Sequence, residues 1–139
     1  MDYLSGRNVV EKNLSSATYV APDLLDGIPI VAVDDVSTWS LGAPATITGV
    51  PAAGAGAYNI CGLFIYAIDK VGDYQVKIYD DAVFVASKVF YKKSVTSDDY
   101  TELIVTTPII ASGSVITACL AASANNGCAA KIKVYYRFL

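Results

Sequence analysis

The side chains that usually carry out catalysis are sparse in this sequence. There is no histidine among its 139 residues, which removes the serine and cysteine triads, histidine-ligated zinc and the usual general base near neutral pH. No two cysteines have the Cys-x-x-Cys spacing of zinc and redox sites. No glycine loop precedes a predicted helix, and Gly54 and Gly56 lie in an Ala-rich stretch. These absences predict a protein that is not an enzyme and binds no cofactor.

Three pairs of adjacent aspartates are the remaining candidates for acid–base chemistry: Asp34-Asp35, Asp80-Asp81 and Asp98-Asp99. A glycosidase needs two carboxyl groups that face each other across a cleft, whereas adjacent residues on a strand point to opposite faces. Each pair lies where a predicted strand ends, and aspartate there commonly caps a turn. The pairs therefore predict turns, with a calcium site at Asp69, Asp73 or a neighbouring pair as the alternative.

The start of the chain and its cysteines indicate the cellular compartment in which the protein is expected. Residues 1–16 contain no basic region followed by an apolar one, so no signal peptide is predicted. No apolar run approaches the length that crosses a bilayer, so we expect no membrane partner and synthesis in a cytoplasm. Cys61, Cys119 and Cys128 are then expected to be reduced, buried thiols. A Cys119–Cys128 bridge across a final hairpin is the alternative.

The composition is apolar and mildly acidic. Hydrophobic residues make up 54% of the chain, charged residues 17%, and the formal net charge is −3. No basic run is longer than Lys92-Lys93, whereas a nucleic-acid-binding protein usually shows a basic stripe. The row Lys131, Lys133 and Arg137 is interpreted as the solvated face of a sheet. We therefore expect no nucleic acid partner, and the apolar surplus predicts burial against other proteins.

The clearest element that could position any site is the last stretch, residues 113–139. Ile132, Val134, Tyr136 and Phe138 alternate with Lys131, Lys133, Tyr135 and Arg137, which predicts a half-buried strand. Asn125-Asn126-Gly127 precedes this strand and supplies residues that tolerate positive φ. The pattern predicts that the domain closes with a hairpin.

Residues 58–139 carry the pattern of a complete domain. Apolar or alternating segments at residues 58–68, 74–79, 82–95 and 100–107 are separated by short polar turns, and none has helical periodicity. This spacing predicts an all-β domain, an antiparallel β-sandwich of jelly-roll-like form.

Residues 1–57 show less core-forming pattern. They contain a short apolar segment with Pro29 inside it, a second segment around Ile47, and the small-residue stretch 51–57. We therefore predict an extended N-terminal arm over residues 1–57, with one or two short strands.

Ten tyrosines are many for this length. Most are interpreted as strand residues with one solvated end. Together with Trp39 they could also stack on sugars or on a protein partner. A carbohydrate-binding module or fibre tip, which would show a cluster of exposed rings, is therefore an alternative function.

An acidic β domain with an N-terminal arm and no active-site pattern resembles the capsid decoration (cement) and head-fibre proteins of tailed bacteriophages. The resemblance covers the layout of the whole chain and involves no diagnostic motif. It implies homotrimers on the capsid surface of a virion assembled in the host cytoplasm. The implied partners are the major capsid protein and neighbouring copies, which the arms would brace. A tail or baseplate component is a further alternative.

On this hypothesis, the arm adds a strand to the sheet edge of a neighbouring subunit. The candidate strands are residues 28–33 and 46–50. The candidate partner-binding residues are Ile28, Ile30, Val31, Val33, Trp39, Ile47 and Val50. Deleting residues 1 to about 50 is then expected to leave a folded domain that no longer attaches to a particle.

Overall fold

The structure, a computed structural model, describes residues 18–23, 26–32, 39–92, 100–123 and 128–139. Within these ranges the chain forms nine strands: β1 (Thr18–Ala21), β2 (Ile28–Val31), β3 (Ala45–Thr46), β4 (Tyr58–Tyr66), β5 (Gly72–Asp80), β6 (Val83–Lys92), β7 (Tyr100–Ile104), β8 (Ile116–Ala122) and β9 (Ala129–Phe138). All their pairings are antiparallel. The predicted all-β antiparallel class is confirmed. In this part of the chain no helix is long and apolar enough to cross a membrane.

The strands form two sheets. In sheet A, β9 pairs along one edge with β1 and β2 and along the other with β4, which also pairs with β7. Sheet B has the order β3-β8-β5-β6. The pairs are nested along the chain: β5 with β6, β4 with β7, β3 with β8, and β1 and β2 together with β9. This nesting is the strand arrangement of a jelly roll.

Strand β9 has the alternation that the sequence predicts. Ile132, Val134 and Tyr136 are buried between the sheets, while Lys131 and Lys133 lie on the outer face. The predicted final hairpin is wrong, however, because β8 and β9 lie in different sheets. Strand β8 is buried over most of its length and therefore needs neighbours on both edges, which β3 and β5 provide. The three cysteines are free and buried.

The turn predicted at Asp80-Asp81 is confirmed as the connection between β5 and β6. Asp81 and Ala82 have φ angles of 48° and 69°, as a two-residue hairpin turn of the primed type requires. Backbone and side chain of Asp81 both bind Val115: the Asp81 N–H donates to the Val115 carbonyl, and Asp81 Oδ1 accepts from the Val115 N–H, each at 2.8 Å. The turn is therefore fixed to the segment that precedes β8.

The described part of the expected arm belongs to the sandwich. Strands β1 and β2 pair with β9, and β3 pairs with β8. The N–H groups of Ala32, Gly42 and Ile47 donate to the carbonyls of Cys128, Leu120 and Ile116 at 2.8–2.9 Å. The boundary expected at residue 57 therefore does not separate an arm from a domain, because these segments satisfy the edges of β8 and β9. Residues 1–17 lie outside the described residues.

One continuous core fills the space between the sheets. It includes Ala21, Ile30, Ala32 and Ile47 from the N-terminal segments as well as side chains from β4–β9. Gly42 allows a close approach there, since a Cβ at this position would lie 1.7 Å from the Val31 carbonyl oxygen. The N-terminal segments therefore contribute side chains to the same core as the long strands.

Candidate interaction surfaces

The predicted partner-binding residues divide between the core and the surface. Ile30 and Ile47 are buried, and Ile28 and Val50 are half-buried against the same core. Strand β2 pairs with β9 of its own chain, with Ile28 opposite Ile132. These four residues are occupied in the fold and are not free to add a strand to a neighbour. Val31 and Trp39 are exposed, and Val33 lies outside the described residues.

The outer face of sheet A carries a group of aromatic rings, which we call the aromatic face: Phe64, Tyr66, Tyr100 and Tyr135. The centroid of the Phe64 ring lies 5.3 Å from that of Tyr66 and 5.2 Å from that of Tyr100. Register explains the cluster, because Tyr66 lies opposite Tyr100 on the paired strands β4 and β7. The sequence places these residues on strands, but their meeting depends on strand pairing, which local alternation does not determine.

Hydrogen bonds hold the rings of the aromatic face in place. The Tyr66 hydroxyl accepts from the Gly27 N–H at 2.6 Å and donates to Asp26 Oδ1 at 3.4 Å. The same carboxylate oxygen lies 3.1 Å from Lys131 Nζ, and the Tyr135 hydroxyl lies 3.3 Å from Glu102 Oε2. Aromatic rings with charged groups at their edge can stack on a flat apolar surface of a ligand. The charged groups can then form hydrogen bonds with hydroxyl groups of the same ligand.

The outer face of sheet B is more apolar. We call the following residues the apolar patch: Tyr79, Phe84, Val89, Tyr91 and Val115. Phe84, Val89, Tyr91 and Val115 are 51–60% exposed. The Phe84 ring packs edge-on against Tyr79, with centroids 6.1 Å apart, and Lys77 Nζ lies 5.8 Å from the Phe84 centroid.

A cavity of about 460 Å³ opens on this same face, beside the β5–β6 turn. It is lined by Pro44, Tyr79, Asp81, Ala82, Val115, Thr117 and Cys119. Burial raises the pKa of the Cys119 thiol, while the charge of Lys77 opposes that shift. Most of the lining side chains are apolar, so the cavity is suited to receiving an apolar group.

Two titratable side chains of the described residues, Tyr58 and Asp69, are held by their surroundings. Burial, followed by the charge of Asp80, raises the pKa of Tyr58 to about 12, so this buried phenol stays protonated near neutral pH. Asp69, named above in the alternative calcium site, accepts a hydrogen bond from the Ala129 N–H at 2.9 Å. In the ranges that the structure describes, no three acidic or cysteine side chains come together as metal ligands would. Asp34-Asp35 and Asp98-Asp99 lie outside those ranges.

No protein-family model and no curated protein matches this chain. Among solved structures, it is similar to two of infectious bursal disease virus. The Gx strain structure has a TM-score of 0.46 and the Gt strain structure 0.43, each at 12% identity over 87% of this chain. An exo-β-1,3-galactanase from Phanerochaete chrysosporium has a TM-score of 0.42 at 11% identity over 88% of this chain. This chain spans about a third of the length of those three chains: 32% of the Gx strain chain, 31% of the Gt strain chain and 29% of the galactanase. Likenesses this low leave function to be argued from the surfaces themselves.

Proposed function

We propose that this chain is a non-enzymatic structural subunit of a virion, of the capsid decoration type, which attaches through the folded faces of its sandwich. The observation that supports this most is the apolar patch on sheet B. Phe84 lies opposite Tyr79 on the paired strand β5, and Val89 and Tyr91 follow on the same side of β6, whereas exposed hydrophobic residues on a monomeric protein are usually scattered.

The composition of the patch fits a protein partner. Tyrosine and other large aromatic residues supply much of the binding energy at protein interfaces, and few charged groups at the centre of a contact lower the desolvation cost. The charged groups at the patch are Lys77 beside Phe84, Asp81 at the turn and Asp73 opposite Tyr91. Its partners in this proposal are the major capsid protein and neighbouring copies of the chain, on the capsid surface of a particle assembled in the host cytoplasm.

The proposed attachment differs from strand addition by an arm. The described residues between 18 and 57 are engaged in the chain's own sheets and core. Contact with a shell is therefore assigned to an outer face of the sandwich.

The test is to look for the protein on particles. Antibodies against the recombinant protein are applied to virus particles purified on a density gradient from the source culture, and gold labelling is imaged by electron microscopy. Labelling over the head supports the proposal, and labelling confined to the tail supports a tail or baseplate component instead. Absence of the protein from the particles, by labelling and by mass spectrometry, would overturn it.

A second experiment asks whether the patch makes the contact. Labelled recombinant protein is mixed with the same particles after mild chaotropic stripping, and the particles are sedimented. Phe84→Lys should lose cosedimentation, because a charge would be buried in the contact. Ile109→Lys, at a 70% exposed position outside the patch, is the matched control and should retain it. Equal retention by both variants would move the contact to another surface.

The aromatic face favours a second candidate function, carbohydrate binding. The Phe64, Tyr66 and Tyr100 rings lie together, with Asp26 and Lys131 at their edge, and such rings stack on the apolar faces of sugars. A glycan array with the wild-type chain and with Tyr100→Ala tests it. Binding that Tyr100→Ala abolishes and Tyr91→Ala on the opposite sheet leaves intact would support this candidate. The absence of any bound glycan would exclude it for the glycans on the array.

A further inference from the structure

We infer that the cavity beside the β5–β6 turn is a binding site for a small amphipathic amine, whose apolar body lies along β8 and whose ammonium group meets the carboxylate of Asp81. The cavity volume of about 460 Å³ is within the range of small-molecule sites in proteins, roughly 300–1,000 Å³. Binding of a small molecule there goes beyond the proposed function and does not depend on attachment to a shell.

The cavity arises from small side chains on β8. Ala118 is fully buried on the inner side of this strand, so its neighbours Thr117 and Cys119 point to the outer side. These two residues form the floor. Larger side chains line the cavity from the neighbouring strands, because Tyr79 lies opposite Thr117 on β5 and Pro44 directly precedes β3. The two neighbouring strands are about 10 Å apart, which leaves room for one ring or one extended chain.

The β5–β6 turn closes one end of the cavity and is held in place before any ligand binds. The Asp81 N–H donates to the Val115 carbonyl, and Asp81 Oδ1 accepts from the Val115 N–H, both at 2.8 Å. These bonds fix the orientation of the carboxylate, and its second oxygen remains to accept a hydrogen bond from a ligand N–H. A binding group that is already ordered lowers the entropic cost of binding.

The charge of the lining favours a cation. Of the described residues that line the cavity, Asp81 is the one that carries a charge, and burial raises the pKa of the Cys119 thiol, which stays neutral. Lys77 lies opposite Cys119 but is not part of the lining, and its Nζ is 5.8 Å from the centroid of the Phe84 ring on β6. An ammonium group is therefore attracted to the Asp81 end and repelled at the Cys119 end, which orients the ligand.

The spacing of the lining residues sets the length of the ligand. Cys119 and Val115 line the two ends of the cavity and are four residues apart, which corresponds to about 13 Å of extended chain. We therefore expect an elongated amine, in which an apolar body separates the ammonium group from the far end, rather than a compact one.

NMR titration of the full chain tests the site with three probes: phenylbutylamine, phenylbutanol and phenylbutyrate. They share one apolar body and have a positive, a neutral and a negative end. We expect the amine to bind most tightly and the acid least, with chemical-shift changes concentrated at the amides of Val115, Thr117 and Cys119. The inference is overturned if these amides do not shift up to the solubility limit of the amine, or if either other probe binds as tightly as the amine.

Asp81→Asn is the matched variant, because it removes the charge alone. Asparagine tolerates the positive φ of this position, and its side-chain carbonyl can still accept from the Val115 N–H. The variant should weaken binding of phenylbutylamine by about two- to five-fold, as is usual for an exposed ion pair, and leave phenylbutanol unchanged. Asp73→Asn, near the other end of β5, is the control and should change neither affinity. Equal weakening by both variants, or no weakening by Asp81→Asn, would refute the contact between the ammonium group and Asp81.

Discussion

Strands β1–β3 and strands β4–β9 reach the same core with very different lengths. The first three have two to four residues each, whereas the other six have five to ten. Yet Ile30 on β2 is 1% exposed and Ile65 on β4 is fully buried. A strand can therefore have little pattern of its own and still belong to the core, provided that a long strand offers it an edge.

The two groups differ in what holds them. Long strands pair along most of their length, as β5 does with β6 and β8. The short strands instead share the long ones: β1 and β2 occupy successive stretches of one edge of β9. Edge strands that are short and contain proline, as β2 does at Pro29, also resist unwanted pairing with other chains.

Deleting residues 1–44 should have the largest effect on stability, because it tests whether the long strands fold without the short ones. The deletion removes β1 and β2, exposes one edge of β9 and takes Ala21, Ile30 and Ala32 from the core. We expect loss of the cooperative thermal transition, followed by circular dichroism, and aggregation through the freed edge. Deleting residues 1–17 is the control, and it should leave the transition in place because the described pairings begin at Thr18. A cooperatively folded 45–139 fragment would restore the original division into arm and domain.

Ile30→Ala tests whether a short strand contributes as much core energy as a long one. Both Ile30 and Ile65 are buried, so each change to alanine should lower the free energy of unfolding by about 2–5 kcal/mol. Urea denaturation measures both values. If Ile30→Ala costs less than about 0.5 kcal/mol, as is usual for surface substitutions, the packing of β2 against the core is refuted.

The free energy of unfolding at alkaline pH should depend on Tyr58, the first residue after the boundary expected at residue 57. Its pKa is raised to about 12 from 10.0, so between these values the unfolded chain loses the proton that the folded chain keeps. Stability from this group is therefore complete below pH 10 and falls as the pH rises towards 12, by roughly 2–3 kcal/mol. Tyr58→Phe should flatten this part of the curve in urea titrations. An unchanged slope would show that Tyr58 does not titrate in this way.

The smallest expected effect comes from Tyr19 on β1. Its ring stacks on Tyr136 and meets Phe138 edge-on, both with centroids 5.6 Å apart, but its side chain remains half exposed. Tyr19→Ala should cost about 0.5–1.5 kcal/mol, and Tyr19→Phe, which keeps the ring, should cost less. Equal losses in the two variants would mean that the hydroxyl rather than the ring contacts stabilises β1.

Several elements could be predicted because their signals are local. The alternation in residues 131–138 and the Asp80-Asp81 turn depend on neighbours in sequence, and the structure has both. The prediction of a hairpin between β8 and β9 was wrong. Turn residues indicate that the chain reverses, but they do not determine whether it returns to the same sheet or crosses to the other. The candidate surfaces were not predicted, since Phe64 meets Tyr100, and Tyr79 meets Phe84, only through register.

By itself, the sequence determined that this chain is built from antiparallel strands and that it has no histidine for catalysis. It also determined which side of β9 is apolar, because side-chain direction alternates along any strand. Tertiary structure alone decided which strands are neighbours. Thr18 pairs with Arg137 at opposite ends of the chain, and backbone N–H and C=O groups are the same at every strand edge. Which strand edges pair therefore depends on which arrangement buries the apolar faces of all the strands in one core.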